Sequence, residues 1–117
     1  MKILVVEDAE YRISWFEKKF GKELLRIVTT ADEAIKKLTH DINWDYIYLD
    51  HDLGGADLGA DGFNEKTGTE VAKFLSTKEF KGQIIIHSMN YYGAQSMKSY
   101  LPQATICPFS FLASFEE

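Results

Sequence analysis

The sequence has 117 residues, of which 45% are apolar, and its 18 acidic residues outnumber 13 basic ones to give a net charge of −5. This length suits one domain with a real core and is too short for two, so residues 1–117 are predicted to form a single domain. The acidic balance argues against a surface that binds duplex nucleic acid, and no apolar run approaches the roughly 20 residues of a membrane span. A single cysteine excludes an internal disulfide framework. We therefore expect a cytoplasmic protein.

The chain opens with a strand pattern followed by a helix pattern. Residues 2–6 are largely apolar and β-branched, as in a buried parallel strand, and Glu7 and Asp8 follow them. Apolar residues then recur at helical spacing over residues 10–20, and Gly21 stands where a helix C-cap is expected. Two acids therefore follow directly on the first predicted strand.

The same alternation continues into the middle of the chain. A second strand is predicted at residues 25–29, and Thr30-Ala31-Asp32-Glu33 matches the capping box that begins a helix. Residues 45–50 form a third strand pattern ending at Asp50, and residues 51–62 are polar and rich in glycine, which indicates a long loop.

Residues 67–117 carry three helix patterns and two strand patterns. Thr67-Gly68-Thr69-Glu70 is a second capping-box match ahead of an apolar helical stripe. A strand is predicted at residues 83–87, a helix at 91–101, a short strand at 104–107 and a final short helix at 110–117.

Five alternations of strand and helix predict an α/β fold with a single doubly wound, five-stranded parallel sheet in the flavodoxin-like order 2-1-3-4-5. Ligands of such sheets bind beyond the carboxyl ends of the strands. Strands one and three are neighbours in this order, so Glu7, Asp8, Asp50 and Asp52 are predicted to converge there.

Carboxylates crowded in this way favour a cation. Two like charges about 4 Å apart repel by roughly 4 kcal/mol at an effective dielectric constant near 20. Oxygen ligands suit Mg²⁺, with Mn²⁺ possible. The alternative for Glu7 and Asp52, each taken singly, is that the side chain caps a helix or a turn.

Two of the three histidines, His51 and His87, follow adjacent predicted strands. Histidines at such positions favour proton transfer, with His87 the first candidate, although each is equally consistent with a structural role. Side chains alternate along a strand, which predicts that His51 faces away from Asp50 and Asp52 unless the chain turns promptly.

Phosphate binding is predicted at the start of the fourth helix, where Asn90 and Gly93 lie near free N–H groups, and Ser88 just before it is a further candidate phosphate-binding residue. Asn90 is equally well interpreted as an N-cap. Arg12, one turn into the first helix, can either contact phosphate in a fork geometry or neutralise a carboxylate.

The whole chain resembles a response-regulator receiver domain. The resemblance rests on an acidic pair after strand one, an acid after strand three, a hydroxyl after strand four and a Pro-Phe step after strand five, namely Glu7, Asp8, Asp50, Ser88, Pro108 and Phe109. It implies that the acids hold Mg²⁺, that Asp50 accepts a phosphoryl group and that the Cys107-Pro108 bond is cis. The lysine that receivers carry before the Pro-Phe step is replaced by Cys107, which is interpreted as an inert thiol.

Two motifs resemble a divergent branch of that family more closely. Leu49-Asp50-His51-Asp52-Leu53-Gly54 and His87-Ser88-Met89-Asn90, together with Gly93, are similar to the cyclic-phosphate-processing receiver domains of bacteria and phages. That resemblance implies metal-assisted handling of a phosphate ester, such as a cyclic phosphate on a nucleotide or an RNA end. The positions that match are Asp8, Asp50, Asp52, His51, His87 and Asn90.

The leading hypothesis is therefore a metal-dependent phosphoesterase acting on a small phosphorylated ligand. A second is a signalling receiver phosphorylated on Asp50, which the missing lysine disfavours. A third is a non-catalytic module that binds a nucleotide or a partner through Tyr91 and Tyr92, one of which is expected to pack on the sheet.

Overall fold

The computed structural model describes residues 1–53 and 66–114. Strands within these ranges are β1 (Ile3–Val6), β2 (Leu25–Val28), β3 (Tyr46–Leu49), β4 (Gln83–Ile86) and β5 (Thr105–Ile106). Helices are α1 (Glu10–Phe20), α2 (Ala31–His40), α3 (Gly68–Ser76), α4 (Tyr91–Tyr100) and α5 (Phe109–Ser114). Most of the predicted loop at 51–62 and the end of the predicted helix at 110–117 lie outside the described residues.

The strands form one sheet in the order β2-β1-β3-β4-β5, and every neighbouring pair is parallel. This confirms the predicted fold class and strand order. The last residues of β1, β3 and β4 are aligned, because Val6 pairs with Leu49 and Leu49 pairs with Ile86. The residues that follow these three strand ends therefore begin side by side.

Apolar side chains cover both faces of the sheet. On one face, Leu4, Val6, Ile47 and Leu49 join a core cluster built with α2, α3 and α4. On the other face, alternating strand residues pack with Phe16 of α1 and with α5. Strand residues buried on both sides explain why the strands appear as continuous apolar runs in the sequence.

Local signals begin and end the helices as predicted. The Thr30 hydroxyl accepts a hydrogen bond from the Glu33 backbone N–H at 3.1 Å, and the Glu33 carboxylate accepts one from the Thr29 N–H at 3.0 Å. Thr67 caps α3 by accepting from the Thr69 N–H at 3.1 Å. Gly21 ends α1 with a φ of 83°, a conformation that favours glycine.

The expected cis bond before Pro108 is wrong, since the described residues contain no cis peptide. The chain stays extended past β5: the Cys107 N–H donates to the Ile86 carbonyl at 2.8 Å and the Phe109 N–H donates to the His87 carbonyl at 2.9 Å. These bonds continue the pairing with β4 on both sides of the proline, and they suit the trans form that most X-Pro bonds adopt.

Among the described residues, none of the helices combines the length and the apolar character needed to cross a membrane.

Candidate functional site

Three ionisable side chains meet where β1, β3 and β4 end. Glu7, Asp50 and His87 each directly follow one of these strands, and the level register sets them in a row. One possible ligand atom from each lies within 4.8 Å of the other two, and all three side chains are buried. The predicted convergence therefore includes Glu7 and Asp50, and it adds His87. Asp8 and Asp52 are not part of this close group.

Glu7 and His87 form a fully buried pair. Nε2 of His87 lies 2.8 Å from Oε1 of Glu7, and Oε2 of Glu7 accepts hydrogen bonds from the backbone N–H groups of Asp8 and Ala9. Burial opposes ionisation of Glu7, but the His87 and Ala9 hydrogen bonds and the charge of Arg12 leave the Glu7 pKa below its ordinary value. Burial lowers the pKa of His87. In this pair the Glu7 carboxylate accepts and Nε2 of His87 donates.

The pKa of Asp50 is raised, whereas that of Glu7 is lowered. Burial, and next the negative charge of Glu7, raise the pKa of Asp50 to about 7, against opposing contributions from the His51 N–H and Arg12. The predicted repulsion between strand-end acids is therefore present. Without a bound cation, Asp50 holds its proton to a pH well above that of an ordinary aspartate.

Arg12 is the basic side chain that reaches both buried carboxylates. One terminal nitrogen lies 3.7 Å from Oε1 of Glu7 and 3.8 Å from Oδ2 of Asp50. Its Nε donates to the Tyr11 hydroxyl at 2.9 Å, and its guanidinium carbon lies 5.2 Å from the centre of the Phe109 ring. The sequence left open whether Arg12 faces phosphate or carboxylate; in this structure it faces the carboxylates.

A second cluster lies at the rim of the site. Nδ1 of His51 is 2.8 Å from Oδ1 of Asp52, and Nδ2 of Asn90 is 3.3 Å from the same Asp52 oxygen. Strand geometry ends at Leu49, so the alternation that would separate His51 from Asp52 no longer applies and the chain bends to bring them together. The Asp52 side chain is 69% exposed, which suits a group at the entrance of a site.

Two glycines allow close contacts around these clusters. A Cβ on Gly93 would lie 2.4 Å from Cγ of His51, so the ring packs directly against the first turn of α4. A Cβ on Gly68 would lie 2.0 Å from the backbone oxygen of Asp50. Sequence reasoning missed this role of Gly68; its place just inside the Thr67 capping box was the available signal.

The remaining predicted residues are engaged in local structure. Asn90 caps α4 by accepting from the Gly93 N–H at 2.9 Å, and the buried Ser88 hydroxyl accepts from the Asn90 N–H at 3.0 Å. Tyr91 and Tyr92 are 67% and 82% exposed and contact each other edge to face. The expectation that one of these tyrosines packs on the sheet is wrong, because both precede the buried face of α4 that begins at Gly93.

The donor set fits a hard divalent cation. Glu7 and Asp50 offer carboxylate oxygens, the ligands that Mg²⁺ prefers, whereas Nε2 of His87 is already bound to Glu7. A histidine in this position orients a carboxylate ligand. The repulsion that raises the Asp50 pKa is also the kind of charge crowding that a cation relieves.

The fold and the acidic strand ends define a receiver-type domain. The structure of response regulator TrrA from Thermotoga maritima in complex with Mg(2+)-BeF is similar over 99% of this chain and 95% of that one, at 25% identity and a TM-score of 0.65. The response regulatory domain of mrkE from Klebsiella pneumoniae matches over 92% and 82%, at 20% identity and a TM-score of 0.62. A fusion carrying a yeast Spc42 trimeric coiled coil matches over 93% of this chain at 18% identity and a TM-score of 0.65, and this chain spans 65% of its length.

The family model for the cyclic-phosphate processing receiver domain matches residues 2–103. The chain belongs to this family. No curated protein sequence matches it.

Proposed function

We propose that this protein is a metal-dependent phosphoesterase that processes a cyclic phosphate or a related phosphate ester of a nucleotide or an RNA end. The observation that carries the proposal is the convergence of Glu7, Asp50 and His87 within 4.8 Å at the strand ends, beside Arg12. The family description points to the same substrate chemistry.

Glu7 and Asp50 are the proposed cation ligands, with Asp8 and Asp52 as further acids at the same edge. Mg²⁺ is the preferred ion and Mn²⁺ the alternative. Such an ion would offset the charge of the phosphate oxygens and favour attack by water. The similar TrrA structure is a complex with Mg(2+)-BeF, which supports a cation in a receiver-type site.

We assign the proton transfer to His51 and a positioning role to His87. His87 is fully buried and its Nε2 is bound to Glu7, so it orients that carboxylate. The His51 side chain is 17% exposed and its Nδ1 contacts Asp52, as in a carboxylate–histidine dyad. The tautomer that donates from Nδ1 to Asp52 leaves Nε2 of His51 as the base, while Asn90 supports the Asp52 carboxylate.

The test is turnover of 2′,3′-cyclic, 3′,5′-cyclic and cyclic-dinucleotide phosphates by the purified protein with Mg²⁺ or Mn²⁺. We expect at least one class to be opened, and Asp50→Asn to abolish that activity. Glu79→Gln is the matched control, because Glu79 is exposed in the connection between α3 and β4, at the opposite edge of the sheet. A panel without turnover under both metals would overturn the proposal.

A second candidate is a phosphoacceptor on Asp50, which follows β3 at the site of the acidic cluster. Cys107 supplies no ammonium for the phosphoryl oxygens, which disfavours this candidate. Intact mass after treatment with a small phosphodonor distinguishes the two candidates: a stable adduct lost in Asp50→Asn favours the phosphoacceptor.

A further inference from the structure

Arg12 is held close to Glu7 and Asp50 without being fixed to them. Its terminal nitrogen is 3.7 Å and 3.8 Å from their oxygens, distances that allow strong charge attraction but exceed the roughly 2.7–2.9 Å typical of a charge-assisted hydrogen bond. A guanidinium committed to a carboxylate would close this gap with paired hydrogen bonds. The contact is therefore one of charge compensation.

Other groups position the guanidinium. Tyr11 accepts from Nε at 2.9 Å, and the guanidinium carbon lies 5.4 Å from the Tyr11 ring and 5.2 Å from the Phe109 ring. The hydrogen bond uses Nε, so the terminal N–H groups stay available to the charged groups around them. Tyr11 and Phe109 also contact each other edge to face, so the aromatic support is continuous.

From this geometry we infer that Arg12 is a displaceable counter-ion: it partly offsets the negative charge of Glu7 and Asp50 while no divalent cation is bound, and it turns to phosphate oxygens once a cation takes those carboxylates. The inference rests on the cation site of the proposed function. Arg12 then couples the binding of the metal to the binding of phosphate, so that each ligand strengthens the binding of the other.

The charge balance explains the coupling. A divalent ion binds with both carboxylates ionised, and the two carboxylates, the guanidinium and the ion then sum to one positive charge, which attracts an anion. The same ion repels Arg12 from the carboxylates, and a phosphate offers the fork geometry that arginine prefers. Cys107 stands in place of the lysine expected from the receiver resemblance, so the positive charge reaches the site from α1.

The experiment measures Mn²⁺ binding by electron paramagnetic resonance, with and without inorganic phosphate, for the wild type, Arg12→Met and Arg12→Gln. We expect both variants to bind Mn²⁺ alone more tightly than the wild type, on the order of tenfold. We also expect phosphate to tighten Mn²⁺ binding in the wild type and to have no such effect in either variant. Arg26→Met is the control: it removes the same charge from the other arginine of the chain, on the exposed side of edge strand β2, and should leave both quantities unchanged.

The possible failures are distinguishable. Equal or weaker Mn²⁺ binding by folded Arg12 variants, or phosphate coupling that survives in them, would overturn the inference and leave the esterase proposal standing. The expected binding pattern without turnover of any cyclic phosphate would overturn the esterase proposal alone. A wild-type protein that binds no Mn²⁺ would overturn both. Thermal unfolding of each variant verifies that the compared proteins are folded.

Discussion

Nε2 of His87 lies 2.8 Å from Oε1 of Glu7, and water reaches neither side chain. The two residues are separated by 80 positions in the sequence and meet because β1, β3 and β4 end at the same level. A buried carboxylate needs such a partner, since an unpaired charge in the interior is costly. The pair therefore stabilises the fold and also fixes the orientation of a proposed cation ligand.

Replacing His87 should destabilise the protein strongly. In His87→Ala the Glu7 carboxylate loses the side-chain donor to Oε1 while remaining buried, so we expect the free energy of unfolding to fall by about 3 kcal/mol or more. Urea denaturation followed by circular dichroism measures this. His40→Ala, at the exposed end of α2, is the control and should change stability by less than about 0.5 kcal/mol. A His87 variant as stable as the control would show that Glu7 does not depend on the pair.

Asp50 should make stability depend on pH in the metal-free protein. The folded state keeps the Asp50 proton up to a pKa of about 7, whereas an ordinary aspartate loses it near 3.8, so the folded state binds more protons between these values. The free energy of unfolding then falls as pH rises through this window. Burial lowers the pKa of His87, so its effect on the free energy of unfolding has the opposite sign: stability rises with pH just below the ordinary histidine pKa. The pH dependences that Asp50 and His87 contribute therefore partly cancel in the wild type.

Comparison with Asp50→Asn isolates the contribution of Asp50 to the pH dependence of stability, because His87 is present in both proteins. In the presence of a chelator, we expect the stability of the variant relative to the wild type to increase from about pH 4 to about pH 7, by an amount on the order of 3 kcal/mol. Denaturant titrations at several pH values measure the difference. A difference that is constant across this range would mean that the Asp50 pKa is not raised by its surroundings.

Gly93→Ala should move the His51 ring. The added Cβ would lie 2.4 Å from Cγ of that ring, too close for any real contact, so the ring must shift away from α4. We expect the variant to remain folded and the His51 imidazole signals to move in nuclear magnetic resonance spectra, where the chain has three histidines. Gln95→Ala, on an exposed position of the same helix, serves for comparison. Unmoved His51 signals would contradict the contact.

His51→Gln should separate proton transfer from metal binding. Because His51 lies outside the close Glu7–Asp50–His87 group, we expect the variant to bind Mn²⁺ with wild-type affinity while turnover of a cyclic phosphate falls by at least about 100-fold, the typical loss for a general base. Asp52→Asn should lower turnover less, since it keeps His51 itself and weakens only the carboxylate contact to Nδ1 of that ring. Full activity in His51→Gln would show that another group acts as the base.

The sequence by itself determined the order of the elements and the sheet. Apolar runs of strand length, helical stripes and the Thr30 and Thr67 caps are local signals, and the alternation of strand and helix admits few topologies. The acids after β1 and β3 could be paired from this topology alone, because the carboxyl ends of neighbouring parallel strands share one edge. Family resemblance then predicted the chemistry now proposed for that edge.

The tertiary structure decided which side chains face one another. The level register set His87 against Glu7, and the end of β3 at Leu49 released His51 to meet Asp52. Packing of α1 beside Phe109 directed Arg12 to the carboxylates. These contacts join residues far apart in the chain, or depend on where a strand stops, and local patterns carry neither kind of information. The sequence therefore predicted an acidic edge, and only the folded chain divided it into a buried group of Glu7, Asp50 and His87 and a rim where His51 contacts Asp52.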